Sequence, residues 1–372
     1  MRRFVLFGIA GVVLPVMFFV AVINVANIAN AVEYTSAESI AADKNKEIAR
    51  DFKIQGEYKF KEKNNKEISG INIVAHGKGK FSIVAFGKGL PGDGWESGSR
   101  RAFANAVING ETLVMKNFEY ENKDNNGKIT RDKTDRIIHC KIEDGEILIP
   151  QKVEKNGKSI RENNNNNNED TMTKVYRKST TLGLKVPDGG IQLFLDGKSS
   201  DILLNPKVNE SAKTLWSEVS TKPFERRPYT LHLEFLTSYM PDASGQGRSN
   251  SGVYIDESYE CQILDSFGLE GLNNECGGFY QQAAPKLNMC YPPLQWQTYD
   301  IDFVPAKFEN DGKKIANAKI TVKHNGVLIH ENFEPKHETP GRKKESPEPK
   351  GLYLQGHGNK VQFNNIWIKY KD

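Results

Sequence analysis

The chain has 372 residues, with 51 Lys and Arg against 47 Asp and Glu and a formal net charge of +4. That length supports two domains with at least one sizeable core. Acids and bases are interspersed and no basic stripe alternates with aromatics, which argues against a nucleic-acid binder.

The chain opens on Met1-Arg2-Arg3, followed by an almost wholly apolar run over 4–23 and a small-x-small site at Ala29-Asn30-Ala31. This pattern predicts a signal peptide over 1–31. The run is also long enough to span a bilayer, so an uncleaved anchor is the competing reading. Either one predicts export to the periplasm or cell surface, with membrane contact only through such an anchor. Residues 32–54 are polar and rich in Ala, Lys and Glu, a tether with some helix.

Over 55–150, short alternating apolar segments such as Ile71-Asn72-Ile73-Val74 and Phe81-Ser82-Ile83-Val84 are separated by His76-Gly77-Lys78-Gly79, Asn109-Gly110 and Asp144-Gly145. Alternation with glycine-bearing turns predicts a small all-β module. No catalytic grouping is visible in it. Residues 151–189 contain a pure Asn run at 163–168 and predict a linker, too polar to bury a core, with an unstructured insertion on a loop of the first module as the other reading.

From 190 to 372 the same alternation returns at Ile191-Gln192-Leu193, at Leu231-His232-Leu233-Glu234-Phe235 and over 250–267, 279–281, 297–303, 318–330, 351–355 and 361–370. Many strands and almost no helix predict an all-β chain whose second domain is a two-sheet sandwich. Cys276 and Cys290 flank a loop containing Gly and Pro, and in an exported protein they are the expected disulfide. Cys261 alternates with apolar residues and reads as a buried free thiol. No cysteine spacing matches a structural zinc site, so no metal is expected.

The stretch 250–267, NSGVYIDESYECQILDSF, concentrates the polar candidates. Side chains alternate along a strand. Tyr259, Cys261 and Ile263 therefore share one face, and Glu260 and Gln262 share the other. A carboxylate beside an amide on a rigid strand is a plausible piece of acid–base machinery, and equally a solvated edge.

Taken together, LFLDGKSSDIL (193–203), GRSNSGVYI (247–255), YECQILDS (259–266) and GLYLQGHGNKVQFNNIWIKY (351–370) resemble the 3-keto-disaccharide hydrolase domain family, also described as 3-keto-glucoside 1,2-lyase/3-keto-2-hydroxyglucal hydratase domains. The segment 77–95 resembles an accessory region that precedes this domain in planctomycete-type exported proteins. The resemblance implies a concanavalin-like jelly roll acting on a glycoside or oligosaccharide already oxidised at C3. It implies no cofactor. Members often carry arginines where this chain has Ile255-Asp256-Glu257 and Phe363-Asn364-Asn365.

A ketone at C3 acidifies the C2 hydrogen, so the implied chemistry needs a base near C2, an acid near the leaving oxygen and a donor to the enolate. Glu260, His357 and Asp265 are the candidate catalytic groups. Asn250, Gln262, Tyr353 and Gln355 are candidate substrate ligands, converging if their strands are neighbours. The same scaffold also suits a non-catalytic carbohydrate-binding module, the alternative function.

Overall fold

The computed structural model describes residues 31–61, 68–124, 128–143, 146–150, 152–161 and 170–372. The leader through Asn30, the Asp144-Gly145 turn and the Asn run at 163–168 lie outside the described residues.

Two short helices, α1 (Ala37–Ala41) and α2 (Lys46–Ile54), precede the first strands. Each has a side-chain cap: Ser36 accepts from the Ser39 N–H, and Asn45 accepts from the Glu47 N–H. Ile40, Ile48 and Ile54 bury into the first core, and Tyr34 pairs by backbone with Tyr239 in the other half of the chain. The expected tether is therefore a packed segment, because its sparse apolar residues fall on one side.

Among the described residues, nine strands of one sheet follow: β1 (Gly56–Lys61), β2 (Ile68–Ala75), β3 (Lys80–Phe86), β4 (Arg101–Asn109), β5 (Thr112–Lys123), β6 (Ile129–Thr134), β7 (Ile138–Glu143), β8 (Glu146–Ile149) and β9 (Asp170–Val175). They pair antiparallel in the order β4-β3-β2-β1-β9-β8-β7-β5, and β5 returns to β4, which closes the ring; β6 hangs on the far half of β5. Closure removes the unpaired edges that an open sheet would expose. Ile73, Phe81, Ala106, Leu113, Cys140, Ile147 and Met172 are among the side chains that fill this core. The linker expected over 151–189 is corrected by β9, which pairs with both β1 and β8. Its sequence, DTMTKV, offers few apolar residues, and only Met172 is deeply buried, so the apolar pattern was too thin to mark a strand.

The second half is a sandwich. One sheet runs β10 (Ile191–Leu195), β20 (Gln362–Tyr370), β13 (Tyr229–Leu236), β16 (Gln297–Val304), β17 (Lys319–His324) and β18 (Val327–Phe333) in spatial order. The facing sheet runs β11 (Leu203–Leu204), β12 (Val219–Thr221), β19 (Tyr353–Leu354), β14 (Ser251–Ile255) and β15 (Tyr259–Ile263). Leu231, Leu233 and Phe235 from one sheet share a core with Val253, Ile255, Cys261 and Ile263 from the other. Each such side chain contributes about 1.5–3 kcal/mol by leaving water. The strand expected at Phe279-Tyr280-Gln281 is a loop instead, which meets β15 at a bridge between Phe279 and Cys261.

His232 and Glu234 point away from that core, as alternation requires, yet both are buried. The segment 179–184 crosses over them. Gly183 donates its N–H to Glu234, Thr181 donates to Asp300, and His232 Nδ1 lies 2.7 Å from Asp300. Trp367 stacks on His232 and donates to the Leu184 carbonyl, which makes it a packing residue.

All four cysteines are buried free thiols, so the expected Cys276–Cys290 disulfide is not formed. The two thiols are nonetheless hydrogen-bonded neighbours, with Tyr299 close by. Burial pushes the Cys261 and Cys290 thiols up, keeping them uncharged and slow to oxidise. Thiol titration without reductant is expected to find four reactive thiols in the denatured chain and none in the native one. Two in the denatured chain would establish the bridge.

Candidate functional site

The hairpin β14–β15 builds the centre of the site. Ile255 pairs with Tyr259 and Tyr254 with Glu260, so the turn Asp256-Glu257-Ser258 places the tyrosine directly opposite the carboxylate. Asp256 and Glu257 both take positive φ, 53° and 48°, which matches the right-handed twist of a tight hairpin. Cys261 and Ile263 face the sandwich core. Glu260 and Gln262 therefore face outward, about 6.5 Å apart along the strand. Neither meets bulk water freely: Glu260 is 3% exposed and Gln262 1%.

The walls come from three places. The segment before β14 supplies Gln246 and Asn250; Gln262 Nε2 donates to Asn250 Oδ1 at 3.0 Å, and Asn250 Nδ2 donates to the Gln246 carbonyl at 2.8 Å. Strand β19 and its continuation supply Tyr353 and Gln355, whose Nε2 donates to the Tyr254 hydroxyl at 3.2 Å. The loop between β18 and β19 supplies Thr339, whose Oγ1 accepts the Glu260 backbone N–H at 2.9 Å, and Arg342, whose guanidinium lies over the Tyr254 and Tyr353 rings. Gly252 leaves room for the carboxylate; a Cβ there would collide with Glu260 Oε1.

Burial pushes the Glu260 carboxyl up from 4.5 to about 7; a hydrogen bond from Tyr254 and the Arg342 charge pull the other way. A group with that value is divided between base and acid near neutrality, which is the condition for general acid–base work. The Gln355 Oε1 acceptor beside it is buried without a partner. Buried polar atoms in folded proteins are nearly always paired, so this acceptor is open to a water or a ligand.

Five of the candidate residues therefore share one face: Glu260, Gln262, Asn250, Tyr353 and Gln355. Asp265 does not join them. It lies two residues beyond β15, where it is 2% exposed and paired at 2.6 Å with Arg248, whose Nη atoms reach the Ala75 carbonyl at the end of β2. Its carboxylate is engaged in that ion pair. His357 sits exposed in the loop after β19, and no contact among the described residues ties it to Glu260. Tyr254, Gly252, Gln246 and Arg342 went unassigned in the sequence reading. Hairpin counting outward from the turn would have found Tyr254 opposite Glu260.

Two outcomes are expected from these environments. Asp265→Asn leaves Arg248 buried and uncompensated, and should cost roughly 3–5 kcal/mol in denaturant unfolding; unchanged stability with lost activity would return Asp265 to the catalytic set. For Glu260 the sign runs the other way. The folded state keeps the Glu260 proton up to about 7 while the unfolded chain releases it near 4.5. Wild-type stability should therefore fall relative to Glu260→Gln as pH rises through that interval. Parallel pH–stability curves for the two proteins would contradict the burial argument.

The model of the 3-keto-alpha-glucoside-1,2-lyase-like domain matches residues 155–369. The match opens before residue 190, where the second domain is expected to begin, and takes in β9. No curated protein matches the chain. Among solved structures, a candidate glycosyl hydrolase from Parabacteroides distasonis ATCC 8503 is 25% identical, covering 50% of this chain and 85% of its own at a TM-score of 0.45. A second from the same organism is 18% identical over 52% and 93%, with a TM-score of 0.31. Trypanosoma rangeli sialidase is 10% identical over 82% and 65%, with a TM-score of 0.28.

Proposed function

Because the chain belongs to the 3-keto-alpha-glucoside-1,2-lyase-like domain family, and so is carbohydrate-active, we propose that it cleaves 3-keto-glucosides with Glu260 as the base. The observation that carries this reading is the buried Glu260 carboxyl, poised near neutrality and surrounded by Tyr254, Gln262, Gln355 and Arg342. Glu260 takes the C2 proton, and the C2–H electron pair moves into the enolate at C3. The enolate re-forms the C3 ketone as C1=C2 forms and the C1–O bond breaks. The leaving oxygen takes the proton that Glu260 has gained. Water then adds across C1=C2, giving net hydrolysis with the carboxylate regenerated. Paired-carboxylate glycoside hydrolysis works differently and needs a second carboxylate across the scissile bond. The basic and apolar leader supports export, so the substrate would be met outside the cytoplasm.

The test is turnover of methyl 3-keto-glucosides, followed by enone absorbance and release of methanol. Glu260→Gln preserves shape and should lower turnover by about 10²–10⁴-fold while sparing binding. The acidic limb of kcat/KM for the wild type should fall near pH 7, because burial raises Glu260 and outweighs the opposing Tyr254 hydrogen bond and Arg342 charge, the titratable groups acting on it. A limb near 4.5, or full activity in Glu260→Gln, would move the base elsewhere. Binding of the sugar without turnover by the wild type would select the carbohydrate-binding alternative.

A further inference from the structure

The loop between β18 and β19 enters the site through one tight turn, Thr339-Pro340-Gly341-Arg342. The Arg342 N–H donates to the Thr339 carbonyl at 3.2 Å, and Gly341 has φ 79°. Proline at the second position and glycine at the third fix a type II turn. The turn is fastened to the catalytic hairpin at two points: the Thr339 N–H donates to the Ser258 carbonyl at 2.8 Å, and Thr339 Oγ1 accepts from Glu260 N–H. Lys343, the next residue, pairs with Glu257 at 2.6 Å. Arg342 is thus held by anchors on both sides of it.

Its guanidinium is less conventionally held. Cζ lies 4.1 Å from the Tyr353 ring centroid and 4.8 Å from that of Tyr254. Among the described residues its side chain makes no hydrogen bond and no ion pair, and its Nε is buried without a partner. A structural arginine beside a buried carboxylate would close on it, fork to fork. Arg342 does not; stacking on two rings holds it off, at a benefit of about 0.5–2 kcal/mol. The result is a fixed cation with unused donors facing a base, with Gln355 Oε1 as an unused acceptor close by.

We infer that Arg342 is a catalytic residue that receives the C3 oxygen of the substrate, first as a ketone and then as the enolate, and so selects oxidised sugars over ordinary glycosides. The inference rests on the reading of Glu260 as the base at C2. C2 and C3 are adjacent, so a base at one and a cationic donor at the other must lie on one face of the site, a few ångströms apart but unpaired with each other. Charge grows on the C3 oxygen as the proton leaves C2, so a donor already in place stabilises the transition state more than the ground state.

The full chain is tested with Arg342→Met, which keeps an unbranched aliphatic stem, and Arg342→Lys, which keeps the charge. With methyl 3-keto-glucosides of both anomers, Arg342→Met should lose about 10²–10³-fold in kcat/KM, mostly in kcat, and Arg342→Lys should recover part of it. The acidic limb should move to higher pH in Arg342→Met, because a positive neighbour of Glu260 is gone. Calorimetric titration should show that wild type binds 3-ketoglucose in preference to glucose and that Arg342→Met loses the preference. Wild-type turnover with unchanged kcat and limb in Arg342→Met overturns the inference and leaves the base assignment standing. Absent turnover with an Arg342-dependent preference for the keto sugar overturns the lyase reading and leaves the ketone site standing. Equal binding of both sugars by wild type overturns the inference outright.

Discussion

Moving an ionised carboxylate out of water costs several kcal/mol unless other groups replace its hydration. Glu260 faces that cost on the outer surface of a five-stranded sheet, and its surroundings replace the hydration only in part. One hydrogen bond comes from Tyr254, and a positive field comes from Arg342 at a distance too long for an ion pair. Full compensation by a forked ion pair would have driven the carboxyl well below its ordinary value and left a weak base. No compensation would have left a permanent acid. The partial answer leaves a group that both takes and gives a proton near neutrality, and each nearby residue can be understood by what it adds to that balance. Gly252 makes room, Tyr254 donates, and the Tyr353 and Tyr254 rings keep the guanidinium from closing.

The position of β15 explains why walls exist around this carboxylate at all. It is the outermost strand of its sheet, and an unpaired edge is a liability. The loop over 272–283 pairs with part of it, through Gln262 N–H to the Gly278 carbonyl and Gly277 N–H to the Gln262 carbonyl. Thr339 takes the Glu260 N–H. The loops that satisfy the edge are the same loops that rise above its outer face, so covering the backbone and enclosing the site are one construction. Asp265 and Arg248 are a contrasting case within a few residues: there a carboxylate and a guanidinium do close, into a buried ion pair.

Strand parity made the shared face of Glu260 and Gln262 legible in the sequence, and the alternation around Leu231 and Ile301 made the sandwich legible. Those signals are local and periodic. Asp265 misled because a carboxylate at a strand end can turn either way, and its partner Arg248 lies 17 residues earlier, beyond any local pattern. Strand β9 was hidden by a polar sequence that is buried at Met172 alone, and the packed segment before β1 by having its few apolar residues scattered over two short helices. His357 sits in a glycine-flanked loop whose direction alternation does not set. The turn at Thr339-Pro340-Gly341-Arg342 is different: its type is written in the residues, but nothing local says that it docks against Glu260. That docking is a long-range contact, carried by Thr339 and the 256–258 turn.

The barrel bears on the site through the buried Arg248–Asp265 pair, whose guanidinium hydrogen-bonds the barrel backbone. Arg248 lies between Gln246 and Asn250, which wall one side of the Glu260 face, and Asp265 lies just past the end of β15, which carries Glu260. Both are tied, through the Arg248 guanidinium, to the Ala75 carbonyl at the end of barrel strand β2. Ala75 in turn donates its N–H to Gln55, which caps the end of α2. A buried charge pair tolerates little displacement, because separation exposes two desolvated charges at once. The barrel therefore fixes the entry to β14 and the exit from β15 relative to each other, and so sets the spacing between the Asn250–Gln262 wall and the carboxylate it faces.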